Sequence, residues 1–249
     1  MQVNIDHIGY GNHILVRDIA FGIAPGECLL LAGPNGCGKS TLLKSLCEET
    51  GVSQTVASRP PKAKAFSLLH GRGWPWVSDT PVSSTIIFAL IPTGIPKIKG
   101  FTVREFVRTG CYRESDWAGR LREETEKRLE ESIELIGLQH LADRDISTLS
   151  DGEFQKACIA VGLTRRAQVL LLDEPTAFLD VENRLMVLRT LRDVAAKTGT
   201  AVVFSSHDLH DALQVAHRVL AITPEGRFLE SGPDNREEIL KEAFPAIGL

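Results

Sequence analysis

The chain has 249 residues and a mass of 27.3 kDa, room for one large domain or for a core that carries an insertion. Its 28 Lys and Arg stand against 32 Asp and Glu for a net charge of -4, so no overall basic field draws it to nucleic acid or acidic lipid. Its apolar runs, such as Ile86 to Ile91, fall far short of the roughly 18 to 20 residues that a membrane-crossing helix needs. Met1 to Tyr10 holds Asn4, Asp6 and His7 where a secretory leader would be apolar. The expectation is a cytoplasmic protein with no nucleic-acid partner. Five cysteines without a C-x-x-C pair, namely Cys28, Cys37, Cys47, Cys111 and Cys158, fit reduced core thiols better than disulfides or a zinc site.

A turn at Pro25-Gly26 leads into the apolar run Cys28 to Ala32, a glycine-rich loop and the helical pattern Ser40 to Leu46. This reads as strand, loop, helix. Val52 to Ser84, with Pro60-Pro61 and Trp74-Pro75-Trp76, has no sustained period and remains unassigned. Charged helical sequence fills Thr102 to Ala167, with Leu121, Leu129, Ile133 and Ile136 on one face. It predicts an inserted helical subdomain over 96–167, flanked by core segments 1–95 and 168–249. Val169 to Leu172 then ends abruptly in Asp173, Glu174 and Pro175, as a buried parallel strand does where it emerges. Leu185, Leu188, Leu191 and Ala195 give Val181 to Lys197 a helical spacing, and Thr200 to Phe204 and Val219 to Thr223 read as further strands. Strand, crossover helix and strand predict a parallel α/β sheet.

Gly33, Pro34, Asn35, Gly36, Cys37, Gly38, Lys39, Ser40 and Thr41 fit G-x-x-x-x-G-K-[ST] between a predicted strand and a predicted helix. Glycines let the backbone N–H groups turn inward, and the following helix adds its positive end, so two fixed fields converge on a polyphosphate. Lys39 adds a full charge to the β- and γ-phosphates, and the Ser40 hydroxyl can ligate Mg²⁺. Asp173 is the second metal-side candidate, and Glu174 is the candidate general base for an attacking water. His207, just past the next predicted strand, should emerge on the same sheet edge; it is either a turn residue or a group that senses the terminal phosphate.

Leu149 to Lys156, LSDGEFQK, resembles the signature of the ATP-binding cassette family, and the order of the motifs agrees: phosphate loop, helical insertion, signature, the Asp173-Glu174-Pro175 strand end, Phe178-Leu179-Asp180 and His207. The resemblance implies a P-loop NTPase core of the RecA-like type with an N-terminal antiparallel β region. It also implies ATP and Mg²⁺ as ligands, Tyr10 stacked on adenine, and Asp180, in a D-loop-like segment, among the nucleotide-binding residues. Ser150 and Gly152, before a helix starting near Glu153, would cap the nucleotide held by a second copy in a head-to-tail dimer. Asp151 and Glu153 depart from the family's usual Gly and Gln. Thr93, in Ile91-Pro92-Thr93, stands where importers carry Gln, which implies contact with the metal shell through water and looser coupling.

Thr102 to Arg120 looks like the helical-domain sequence of ATP-binding subunits that energise bacterial uptake of iron-siderophore complexes, haem or vitamin B12. That likeness implies transmembrane permease subunits as partners, indirectly a substrate-binding protein, and a peripheral place on the cytoplasmic face of the inner membrane. Two other readings stay open: a cassette ATPase of a cytosolic assembly machine such as iron-sulfur cluster formation, and a non-enzymatic nucleotide sensor.

Overall fold

Cys28–Ala32 (β3) is buried along its whole length, and its side chains alternate between two hydrophobic clusters: Cys28, Leu30 and Ala32 join one, Leu29 and Leu31 the other. A strand covered on both faces is central to its sheet. The computed structural model describes residues 1–11, 13–48, 87–232 and 234–245, and the unassigned stretch Val52 to Ser84 lies outside them. Gln2–Tyr10 (β1) and His13–Gly22 (β2) form an antiparallel pair whose register shifts at Ile8/Gly9. There Gly9 is needed, because a Cβ would sit 2.1 Å from the His13 carbonyl oxygen.

The main sheet adds Phe88–Ile91 (β4), Val169–Leu172 (β5), Ala201–Ser205 (β6), Arg218–Ile222 (β7) and Phe228–Glu230 (β8) to β3. Its strand order is β4-β5-β6-β3-β7-β8. All pairings are parallel except β7 with β8, so five strands release their C-terminal ends on one edge. Lys39–Glu48 (α1) packs beside β1 and β4. The helices between β4 and β5 are Val103–Arg108 (α2), Glu123–Leu135 (α3) and Asp151–Thr164 (α4). Then follow Val181–Thr198 (α5), Leu209–Val215 (α6) and Arg236–Ala243 (α7).

The boundaries of β3 and β5 coincide with the apolar runs, whereas others shift by a residue or two, three of them for clear local reasons. Strand β6 begins after Thr200, whose hydroxyl donates to the Ala167 carbonyl, and runs on to Ser205. Helix α4 begins at Asp151 rather than near Glu153, because Ser150 is its N-cap and forms a reciprocal pair of bonds with Glu153. Leu121 is not on the face it was expected to share: α3 starts two residues later, and Leu129, Ile133 and the flanking Ile136 are the positions buried there. Arg104 pairs with Glu130 and Asp143, and Arg108 with Glu126. These guanidinium groups of α2 are therefore engaged within the helical segment.

Arg218 knits the far side of the sheet. It meets Glu27 through Nε at 2.5 Å and Nη2 at 2.8 Å, Glu230, and the Gly22 carbonyl. Burial pushes the Glu27 carboxyl up, but the Arg218 hydrogen bond and charge, with the Ala24 N–H, hold it below the usual carboxylate range.

Candidate functional site

The sheet order decides which motifs meet. Strand β6 lies between β5 and β3, so the loop after β3, the Asp173-Glu174 turn after β5 and the His207 turn after β6 leave the same edge side by side. Thr93 follows β4, one strand further out.

In the loop Gly33 to Gly38, Gly33 is fixed by close approach: a Cβ would lie 2.7 Å from both the Cys37 sulfur and the Ile222 carbonyl oxygen. Lys39 opens α1, is 5% exposed, and donates from Nζ to the carbonyls of Gly33 at 2.8 Å and Pro34 at 3.0 Å. Its ammonium is therefore held at the mouth of the loop. Ser40 is half-buried and Thr41 buried. Asn35 and Gly36 form the exposed tip. Among the cysteines Cys37 alone is not fully buried; desolvation nonetheless pushes its thiol up against the lowering effect of Lys39, which disfavours the reactive thiolate.

Tyr10, at the end of β1, has its hydroxyl 2.5 Å from the Thr41 hydroxyl, while 41% of the residue remains exposed. The exposed aromatic is thus tied to the first turn of the phosphate-loop helix.

Asp173 is 8% exposed, and Glu174 follows in the left-handed region at φ 50°, a conformation unfavourable for a residue with a Cβ. A single group sets both. The buried Ser205 hydroxyl, at the end of β6, accepts the Glu174 N–H at 2.8 Å and donates to Asp173 Oδ1 at 3.0 Å. Ser205 was not foreseen from sequence; its signal is a polar residue closing an apolar strand next to the strand that carries both carboxylates. His207 Nε2 lies 2.5 Å from Glu174 Oε1. The turn around it is held by hydrogen bonds between Ser206 and Asp208, and Arg184 of α5 pairs with Asp208 and, at 3.6 Å, with Asp211.

Thr93 donates its hydroxyl to the Asp173 backbone carbonyl at 2.5 Å. It therefore acts on the metal-side candidate through the main chain. The donors Ser40 and Asp173 are hard oxygen ligands of the kind Mg²⁺ takes alongside phosphate oxygens, so the residues fit that ion.

The signature residues sit elsewhere, at the start of α4, which packs on α2, α3, α5 and β4. Gly152 faces α5 so closely that a Cβ would be 2.5 Å from Asn183 Oδ1. Asn183 is in turn bonded to Asp180, the N-cap of α5, through its backbone N–H at 2.8 Å and its amide at 2.9 Å. Ser150, Gly152 and Asp180 thus form one connected group at two helix N-termini. Phe178, just before it, is 93% exposed with φ 65°.

Residues 16–177 match the family described as ABC transporter. The hemin import ATP-binding protein HmuV of Streptomyces coelicolor is 38% identical over 94% of this chain and 79% of its own length. The iron(3+)-hydroxamate import ATP-binding protein FhuC of Bacillus subtilis is 32% identical over 95% of this chain and 84% of its own. Among solved structures, a nucleotide-free ATP-binding cassette from an ABC transporter superposes with a TM-score of 0.69 at 17% identity, covering 100% of this chain and 99% of that one. The last likeness is one of fold.

Proposed function

The chain belongs to the ABC transporter family and carries its ATP-binding domain, and from that premise we propose that it is the ATPase of a bacterial importer for an iron chelate, haem or cobalamin. The observation that supports this most directly is the shared sheet edge: a cationic phosphate loop, one serine that holds the Asp173 carboxylate and the Glu174 backbone N–H, and a histidine on the proposed base. The relatives above, named as ATP-binding proteins of hemin import and of iron(3+)-hydroxamate import, support the class of cargo.

In this reading Tyr10 stacks on adenine. Gly33 to Gly38 offer backbone N–H groups to the phosphates, and Lys39 balances the β- and γ-phosphate charge. Ser40 and Asp173 hold Mg²⁺, which supplies charge neutralisation across the phosphates when bound. Glu174 takes a proton from water as the water oxygen bonds to the γ-phosphorus; the bond from that phosphorus to the bridging oxygen breaks, leaving ADP and phosphate. His207 orients the Glu174 carboxylate. A second copy donates Ser150 and the N-terminus of α4 to the same nucleotide, with Asp180 at the junction, and a two-fold arrangement satisfies both copies. Closure and reopening of this pair move the attached permease subunits.

Purification from its own membranes in mild detergent tests the assignment. A tagged copy is expected to bring down multi-span permease subunits, and ATP hydrolysis in reconstituted vesicles should drive uptake of an iron chelate, haem or cobalamin. Recovery with only a soluble scaffold would overturn the importer reading.

Thr93 has its own test. Thr93→Val keeps the shape and removes the donor to Asp173, so the Mg²⁺ concentration giving half-maximal ATPase should rise about threefold, in line with loss of one hydrogen bond of about 0.7 kcal/mol. An unchanged Mg²⁺ dependence would assign Thr93 to strand-end packing alone.

A further inference from the structure

The first turn of α4 carries two acidic residues, Asp151 and Glu153. Carboxylates suit an isolated helix N-terminus, but here they oppose an approaching polyphosphate, because like charges a few ångströms apart repel. Glu153 is occupied: its carboxylate accepts the Ser150 N–H at 2.8 Å, which holds it below its ordinary range. Asp151 is exposed and has no such duty in the cap.

Lys97 answers it. This residue lies in the segment between β4 and α2, and its Nζ is 2.7 Å from Asp151 Oδ1, donates to the Leu149 carbonyl at 2.7 Å, and stands 5.7 Å from the centroid of the Phe154 ring. One ammonium thus contacts the residue before the N-cap and the first residue of α4, and stands over the aromatic ring three positions further along the same helix. The lysine side chain is only 25% exposed, so it is packed against the turn rather than waving beside it. The segment is also anchored by Thr93 on Asp173 and by the Gly100 N–H on Asp145. It therefore joins the metal-side strand end to the start of α4.

We propose that Lys97 is a positioning residue of the two-copy ATP interface, holding the Asp151 carboxylate so that the N-terminus of α4 can receive the phosphates bound by a partner chain. This deepens the reading above and rests on it. Asp151 departs from the family's usual glycine, and Lys97 supplies the counter-charge that the departure requires.

The test uses the full chain in a Glu174→Gln background, reading MgATP-driven dimerisation by sedimentation and ATP binding to the single chain separately. Lys97→Ala and Lys97→Gln should bind ATP as singly as the parent does, yet dimerise roughly tenfold more weakly, since both symmetric sites lose a partly exposed charge pair. Lys97→Arg should restore dimerisation, and so should Asp151→Asn added to Lys97→Gln, because a neutral side chain needs no counter-charge. Parent-like dimerisation by both Lys97 variants would overturn the proposal, as would failure of Asp151→Asn to rescue. A Glu174→Gln parent that stays monomeric with MgATP would instead overturn the two-copy reading itself, and the Lys97 assignment with it.

Discussion

Glu174→Gln is expected to bind MgATP and accumulate as a closed dimer while steady-state hydrolysis falls by roughly 10²- to 10⁴-fold, the usual worth of a positioned general base. The amide keeps the side chain's size, and it keeps an oxygen facing His207, whose Nε2 now lies 2.5 Å from Glu174 Oε1. The backbone, at φ 50° with its N–H on Ser205, is untouched by the change. Only the capacity to accept a proton is lost. Because binding and chemistry then separate, the loss should appear in kcat with little change in the ATP concentration needed for half-saturation. Single-turnover hydrolysis and sedimentation on the same sample check both halves. Hydrolysis at the parent rate would remove Glu174 from the role of base and move attention to His207.

The structure around Glu174 also marks where the sequence stops being readable. Strands β3 and β5 could be bounded to the residue, because a parallel strand buried on both faces is an uninterrupted apolar run that ends where a charge or glycine begins. The motifs on their ends followed. Ser205 was not readable in the same way: its role depends on β6 lying beside β5, and strand order is a tertiary fact that no local period carries. Lys97 and Asn183 were missed for a related reason. Lys97 reaches Asp151 and Asn183 abuts Gly152 across a gap between elements, and no local period carries such a contact. Leu121 shows the opposite error, a residue at helical spacing that falls outside the helix because Arg122 is the N-cap.

Lys39 carries two loads, and its replacement should expose both. The residue is 5% exposed, and its ammonium donates to the Gly33 and Pro34 carbonyls. In Lys39→Ala those two acceptors lose a charged donor, which costs about 2 kcal/mol of stability for hydrogen bonds of this kind. A lower urea midpoint with an unchanged slope would report it. The second load is larger. Without the ammonium the loop retains its backbone N–H groups but no full positive charge against the β- and γ-phosphates, and affinity for MgATP should fall by about a hundredfold or more, equivalent to about 3 kcal/mol. ADP should lose less, since it lacks the γ-phosphate. Titration with a fluorescent nucleotide distinguishes the two loads: a variant that melts earlier yet binds MgATP as tightly as the parent would reduce Lys39 to a brace for the loop. Lys39→Met, which fills the same space without a charge, should lose affinity to the same extent as alanine.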